Sequence, residues 1–253
     1  MTTVTLPRLL WGDPESHRRA LLVHGLGSSA HTTWRLGEAL AERGWSATAV
    51  DLRGHGEAPR ASRYRIADFA ADLSATLPDA APGWHLVVGH SIGAAAAVVA
   101  AADDAAWAGR LVLLDPALTV DAAQRARTLD GQTNAHLHAT VESTRAENPS
   151  WHPLDVELRV RATRAASLHA LQHAVLDNPD WDVAARVAEL ACPTLVIAAD
   201  PTMSDFFRGD FAEQVRASNS LVEQVVIDGA GHSVHRDAPQ ATIAALDDWL
   251  ART

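Results

Sequence analysis

The stretch LVVGHSIGAAAAVVAAA, residues 86–102, decides the fold of this chain. Three apolar residues typical of a buried strand run into a G-x-S-x-G turn, and a helical run of small residues follows. In so tight a turn Ser91 must take a strained backbone conformation, and Gly89 and Gly93 avoid collisions at the flanking positions. The stretch therefore predicts a serine nucleophile held at the C-terminal edge of a sheet. The N–H of Ile92, at the start of the helix, can stabilise an oxyanion beside it.

The rest of the chain repeats this alternation of strand and helix. Helical patterns, such as those at residues 66–77 and 243–250, lie between short apolar runs. Such alternation predicts an α/β fold whose mostly parallel sheet is covered by helices on both faces. The predicted strands are residues 20–23, 47–50, 86–88, 111–114, 194–198 and 222–227.

The alternation stops once, between residue 118 and about residue 189, where prolines punctuate polar helical segments. We predict that residues 1–116 and 191–253 form one α/β core and that residues 117–190 form a helical cap inserted into it. A separate domain is the rival interpretation, but roughly 70 residues with scattered apolar positions make a poor independent core. Trp151, Trp181 and several cap histidines suggest a partly apolar pocket, whereas the cap leucines 154, 168 and 171 are expected to pack internally.

Composition excludes several classes of function. The net charge is −10, and the arginines are scattered among acidic residues, so nucleic acid is not an expected partner. No run approaches the roughly 20 apolar residues of a membrane span, and the N-terminus lacks a signal-peptide pattern, so we expect a cytoplasmic protein with no membrane partner. The single cysteine, Cys192, is expected to pack rather than react.

No cofactor or metal is expected. His136 and His138, and His169 and His173, are spaced in a way that could place pairs on one helix face. A zinc site needs three or four convergent ligands, and no carboxylate or cysteine shares a recognised ligand spacing with these histidines. The sequence leaves the oligomeric state open.

Three further motifs occur in order around the serine turn: HGLG at residues 24–27, DLRGHG at residues 51–56 and DGAGH at residues 228–232. With them the chain resembles the α/β-hydrolase superfamily, from about residue 10 to 118 and again from residue 192 to the end. The resemblance implies a serine hydrolase of the esterase or lactonase kind. It makes His232 the general base and Leu26, after His-Gly, the second oxyanion N–H donor. His24, His90 and the DLRGHG segment are interpreted as structural.

The acid that orients His232 has two candidate positions. Many members of the superfamily place it after the predicted strand at residues 194–198, where Asp200 and then Asp205 are available, although the usual acid stands a little further along than Asp200. Other members place it after the strand that follows the serine helix, where Asp115 lies. A carboxylate there can approach the outer ring nitrogen of the histidine. We favour Asp115, although aspartate is also a common turn residue at a strand end.

These residues predict a two-step acyl transfer on a small-molecule carboxylic ester or lactone. Ser91 attacks the carbonyl carbon, His232 takes its proton, Asp115 orients His232, and the N–H groups of Leu26 and Ile92 hold the oxyanion. Alternatives on the same scaffold are a C–C bond hydrolase, a cofactor-free perhydrolase or oxygenase, and a ligand receptor with slow turnover.

Overall fold

A computed structural model describes residues 2–79 and 81–253 of the chain. Within these residues it contains a seven-stranded sheet with the order β1-β3-β2-β4-β5-β6-β7, in which β1 is antiparallel to β3 and all other neighbours are parallel. The strands are β1 (Arg8–Trp11), β2 (Arg19–Val23), β3 (Ser46–Val50), β4 (Leu86–His90), β5 (Leu111–Leu114), β6 (Thr194–Ala199) and β7 (Val222–Ile227).

Helices cover both faces of the sheet, because alternate strand residues point to opposite sides. In β2, Leu21 and Val23 join one apolar core while Ala20 and Leu22 join the other. The helices are α1 (Trp34–Glu42), α2 (Ile66–Ser74), α3 (Ile92–Asp103), α4 (Ala122–His138), α5 (Val141–Glu147), α6 (Pro153–Ala165), α7 (Leu168–Leu176), α8 (Gly209–Ala217), α9 (Val234–Asp237) and α10 (Pro239–Leu250). The predicted α/β fold with a mostly parallel sheet is confirmed.

The edges of the sheet depart from the sequence expectation. Strand β1 was not predicted, since its sequence RLLW is a short run at the edge of the sheet whose residues alternate between exposed and half-buried. In β7, the other edge, Val222 and Ile227 are buried but Val226 is exposed. The expectation of a fully buried strand was wrong there, because an edge strand has a neighbour on one side alone.

Helices α4 to α7 lie between β5 and β6, in the region predicted to be a cap. Thr119 and Asp182 form an antiparallel bridge where this region leaves and rejoins the sheet, and the indole N–H of Trp181 donates to the carbonyl of Ala117 at 2.8 Å. No buried residue lies on α4, whereas α7 buries Leu171. The division into a core at 1–116 and 191–253 and a cap at 117–190 stays a prediction.

Candidate active site

Ser91 occupies a strained turn between β4 and α3, with φ 55° and ψ −120°. Glycine is required on both sides of it. A Cβ on Gly89 would lie 2.7 Å from the Cα of Ala94, and a Cβ on Gly93 would lie 2.4 Å from the carbonyl oxygen of His24. Because both obstacles are backbone atoms, neither can move aside cheaply, and the turn depends on the two glycines.

Ser91, His232 and Asp115 form one hydrogen-bonded chain. The Oγ of Ser91 lies 3.0 Å from Nε2 of His232, and Nδ1 of His232 lies 2.7 Å from Oδ2 of Asp115. His232 lies in the loop between β7 and α9, and Asp115 directly follows β5. The aspartate is fully buried and has a positive φ of 36°. The sheet thus brings together three side chains that are far apart in sequence.

Asp115 receives two further hydrogen bonds. The backbone N–H of Ala199 donates to Oδ1 at 3.2 Å, and the hydroxyl of Ser204 donates to Oδ2 at 2.6 Å. The ring of Phe206 lies 4.4 Å from that of His232, centroid to centroid. Sequence reasoning missed Ser204 and Phe206, since both lie in an irregular loop and no motif marks them.

The other candidate acids lie elsewhere. Asp200 accepts hydrogen bonds from the N–H and hydroxyl of Thr202 and from the N–H of Gly229, and these bonds lower the pKa of its carboxyl. Asp205 pairs with Arg127. The structure therefore places Asp115 against His232, while Asp200 closes a turn.

Two buried histidines hold the HGLG loop. Nε2 of His24 accepts from the N–H of Leu52 at 3.0 Å, and Nε2 of His55 accepts from the N–H of Gly27 at 3.1 Å. Each ring keeps Nδ1 beside a backbone carbonyl oxygen, so each is a neutral imidazole that donates from Nδ1. Burial lowers the pKa of His24 to about 4 and that of His55 to about 3.

The predicted oxyanion donors border the serine. A Cβ on Gly25 would lie 3.2 Å from the Cβ of Ser91, so the HGLG loop passes directly beside the serine. Leu26 and Ile92 line the same cavity as Ser91. Within the described residues, no backbone carbonyl outside the regular elements accepts from the N–H of Leu26 or Ile92. The role of these two N–H groups as oxyanion donors stays a prediction.

His90 and His235 pack against the loop that contains His232. Nε2 of His90 donates to the carbonyl oxygen of His232 at 2.9 Å, and the ring of His90 lies 4.8 Å from those of both His232 and His235. Burial holds the pKa values of His90 and His235 well below the ordinary value, so both rings are neutral. Their contacts are those of supporting residues.

A cavity of about 990 Å³ opens over Ser91, a volume suited to a small molecule. Its walls combine the serine turn and the His232 loop with α4, α5 and α6. Trp151 and Trp181 line it, whereas the leucines at 154, 168 and 171 do not.

No cluster of three or more histidine, cysteine or acidic side chains in the described parts of the chain has the geometry of a metal site. His136 contacts the carbonyl of Thr163, and Nδ1 of His173 lies 2.8 Å from Asp177. Membrane-spanning helices are likewise absent from the two described ranges, where no helix combines the necessary length and hydrophobicity.

Comparison with known proteins agrees with this architecture. A model of the alpha/beta hydrolase family matches residues 20–246. The chain is 30% identical to an esterase of Mycobacterium tuberculosis over 93% of this chain and 83% of that protein. It is 32% identical to the lipase LipV of the same organism, over 57% of this chain and 54% of the lipase, about half the length of each. Among solved structures, N-formylmaleamic acid deformylase from Pseudomonas putida S16 superposes with a TM-score of 0.81 at 23% identity, covering 96% of both chains.

Proposed function

The chain belongs to the alpha/beta hydrolase family and is a hydrolase, and from this premise we propose that it cleaves a small carboxylic ester or lactone through an acyl-enzyme on Ser91. The observation that carries the proposal is the continuous hydrogen-bonded chain from Asp115 through His232 to Ser91 beneath a ligand-sized cavity. The esterase from Mycobacterium tuberculosis, which aligns over 93% of this chain, supports the same reaction class.

The first step acylates Ser91. His232 Nε2, 3.0 Å away, takes the hydroxyl proton as Oγ attacks the carbonyl carbon. The Oγ–carbon bond forms, the bond from carbon to the alkoxy oxygen breaks, and His232 passes its proton to the departing alcohol. In a lactone the alcohol stays attached to the acyl group. Water then attacks the acyl-enzyme by the reverse route and releases the acid.

Asp115 and the two loop donors stabilise the charges that develop. Buried Asp115 accepts a hydrogen bond from the Nδ1–H of His232, which fixes the tautomer with Nε2 facing Ser91 and stabilises the imidazolium that forms. The N–H groups of Leu26 and Ile92 donate to the oxyanion. Two fixed donors replace the water that would otherwise solvate this charge, an effect worth about 10²–10³-fold per donor in rate.

The test is steady-state turnover of a panel of p-nitrophenyl esters and aliphatic lactones, with Ser91→Ala as the blank. We expect turnover by the wild type, none by Ser91→Ala, and labelling of the wild type alone by a serine-directed fluorophosphonate. Unchanged circular dichroism of Ser91→Ala controls for folding. Retained turnover in the purified variant contradicts the proposal.

The p-nitrophenyl esters, together with two further assays, separate the alternative functions. A receptor with slow turnover gives a single burst of p-nitrophenol without steady release. A C–C bond hydrolase cleaves vinylogous diketones in preference to esters, and a perhydrolase oxidises halide when peroxide and a carboxylic acid are supplied. Each of these results overturns the ester or lactone assignment.

A further inference from the structure

Four arginines line the same cavity as Ser91, at positions 125, 127, 159 and 236, together with the carboxylates of Glu147, Asp205 and Asp237. Arg159 lies on α6 and is partly buried, and Arg236 lies on the short helix α9 and is buried. The whole chain carries a net charge of −10, so its surface as a whole repels anions. The cavity walls carry four arginines against three acidic side chains, a small excess of positive charge in an acidic protein. The function proposed above makes no use of Arg159 or Arg236.

The charge of Arg159 is not neutralised by the protein. Nη1 donates to the carbonyl oxygens of Leu26 and Gly27, which are neutral acceptors. Asp155 lies one helical turn before Arg159, but its carboxylate is occupied by Trp34 Nε1 at 2.8 Å and by Arg35 Nε at 3.0 Å. Arg159 thus forms no ion pair with a carboxylate among the residues that the structure describes.

Burial makes the missing counter-ion of Arg159 more costly. Loss of water around Arg159, together with the nearby charge of Arg236, lowers the pKa of Arg159 to about 9, so the guanidinium is still protonated at neutral pH. A cation that is partly removed from water without a counter-ion is costly. A bound anion would remove that cost, since an arginine fork matches a carboxylate in shape and charge.

The charge of Arg236 is better compensated by its surroundings than that of Arg159. Its Nη2 donates to the hydroxyl of Ser28 at 2.9 Å, and its guanidinium lies over the ring of Trp151, 5.1 Å from the centroid. Burial lowers its pKa to about 10, while the carboxylates of Asp155 and Asp237 act in the opposite direction. Arg236 therefore adds positive potential to the cavity, but Arg159 has the stronger need of a partner.

Gln132 supplies a third polar group beside Arg159. A Cβ on Gly27 would lie 2.2 Å from Oε1 of Gln132 and 3.3 Å from Nη1 of Arg159, so the two side chains converge on one point of the loop. Within the described residues, Oε1 of Gln132 is buried and has no hydrogen-bond donor. Turning the carboxamide over exchanges Oε1 for the Nε2 amide, which can donate to an anion there.

We propose that the substrate carries a free carboxylate that Arg159 binds, with Gln132 and Arg236 beside it, while Ser91 attacks an ester or lactone carbonyl elsewhere on the same molecule. The substrate class is therefore half-esters of dicarboxylic acids and carboxylate-bearing lactones. This inference rests on the function proposed above, and it explains why a cavity beside a serine nucleophile contains an arginine without a counter-ion.

The experiment compares two esters of matched shape by pH-stat titration, monoethyl succinate and ethyl 4-methylpentanoate, whose isopropyl end replaces the carboxylate. We expect the wild type to prefer monoethyl succinate. Arg159→Met should lower kcat/KM for both esters, because the bonds to the Leu26 loop are lost, but the loss for monoethyl succinate should be about 10- to 100-fold greater, the range of a charge-assisted hydrogen bond. Arg159→Lys, which keeps the charge but loses the fork, should fall between.

A matched control removes another positive charge near the cavity. Arg127 also borders it but is exposed and paired with Asp205, so Arg127→Met should leave the preference unchanged. Equal losses on both esters in Arg159→Met would mean that Arg159 serves to brace the Leu26 loop, and would overturn the proposal. So would a wild-type preference for the neutral ester.

Failure of the proposed function gives a different result. If the wild type hydrolyses neither ester, the carboxylate site is tested by calorimetry with succinate on Ser91→Ala and on the double variant that also carries Arg159→Met. Binding lost in the double variant supports the carboxylate site, and equal binding or none by both overturns it. Circular dichroism and thermal unfolding establish that each variant is folded.

Discussion

Asp115 Oδ2 lies 2.7 Å from His232 Nδ1, although 117 residues separate the two in the chain. Asp115 directly follows strand β5, and β6 separates β5 from β7, whose following loop contains His232. The carboxylate also accepts from Ser204 and from the N–H of Ala199. Asp115 adopts a positive φ of 36°, a conformation that costs free energy in a non-glycine residue. The contact with the imidazole thus comes from a buried carboxylate on a strained backbone.

Replacing Asp115 by asparagine should lower kcat by about 10³–10⁴-fold, because an amide facing Nδ1 favours the wrong imidazole tautomer. Asp200→Asn is the matched control. It removes a carboxylate that closes a turn with Thr202 and Gly229, and kcat should stay within about 3-fold of wild type. Steady-state kinetics on an ester substrate measures both. A large loss in Asp200→Asn with near-normal Asp115→Asn would reassign the acid.

The histidines offer a second matched pair. His232→Ala should reduce the acylation rate by several orders of magnitude, and combining it with Ser91→Ala should add little, because the two residues act as a unit. His235 lies three residues later and packs on His90 rather than on Ser91. Its replacement by alanine should cost much less in kcat. Pre-steady-state release of p-nitrophenol measures acylation directly. A greater loss of acylation rate in His235→Ala than in His232→Ala would show that the general base was assigned to the wrong histidine.

Local motifs explain what could be predicted from the sequence. The serine turn and the HGLG loop are short segments whose geometry follows from their own residues, and the alternation of strands and helices fixes the sheet. Long-range contacts are different. The hydrogen bond from Ser204 to Asp115 depends on the conformation of the irregular loop after β6. The position of Arg159 beside the HGLG loop depends on how helix α6 packs against that loop.

The same reasoning accounts for the edges of the sheet and for the choice of acid. Strand β1 pairs with β3 through backbone hydrogen bonds, which require no apolar pattern, and its short RLLW run was not distinguished from a loop. The preference for Asp115 came from the rule that ligand-facing residues follow the C-terminal ends of parallel strands. That rule ranks positions, and the contact with His232 became visible once the order of the strands was known. The catalytic roles of both residues stay predictions.

The glycines of the serine turn should be sensitive to a single methyl group. Gly93→Ala would place a Cβ 2.4 Å from the carbonyl oxygen of His24, and we expect a loss of about 1–3 kcal/mol in the free energy of unfolding. Gly131→Ala is the control, since Gly131 lies on α4 with nothing within 4 Å of the added Cβ. It should stabilise the protein by about 0.5–1 kcal/mol through lower chain entropy. Urea unfolding followed by circular dichroism distinguishes the two, and equal effects would contradict the steric argument.

The buried neutral histidines make stability depend on pH. Burial lowers the pKa of His24 from 6.5 to about 4 and that of His55 from 6.5 to about 3. Their contribution to stability is fully present above pH 6.5. It is lost as the pH falls towards the folded-state pKa values, because in that range the unfolded chain binds protons at these histidines and the folded chain does not. Each histidine should contribute a slope of about 1.4 kcal/mol per pH unit well below pH 6.5.

A substitution isolates one of these contributions. Glutamine at position 55 retains an acceptor for the N–H of Gly27 but does not titrate, so His55→Gln should have a shallower fall in the free energy of unfolding between pH 6.5 and 5 than wild type. His31→Gln, at an exposed position, is the control and should keep the wild-type slope. Urea unfolding at half-unit steps of pH measures the slopes. The same slope in His55→Gln as in wild type would show that His55 does not resist protonation in the folded state.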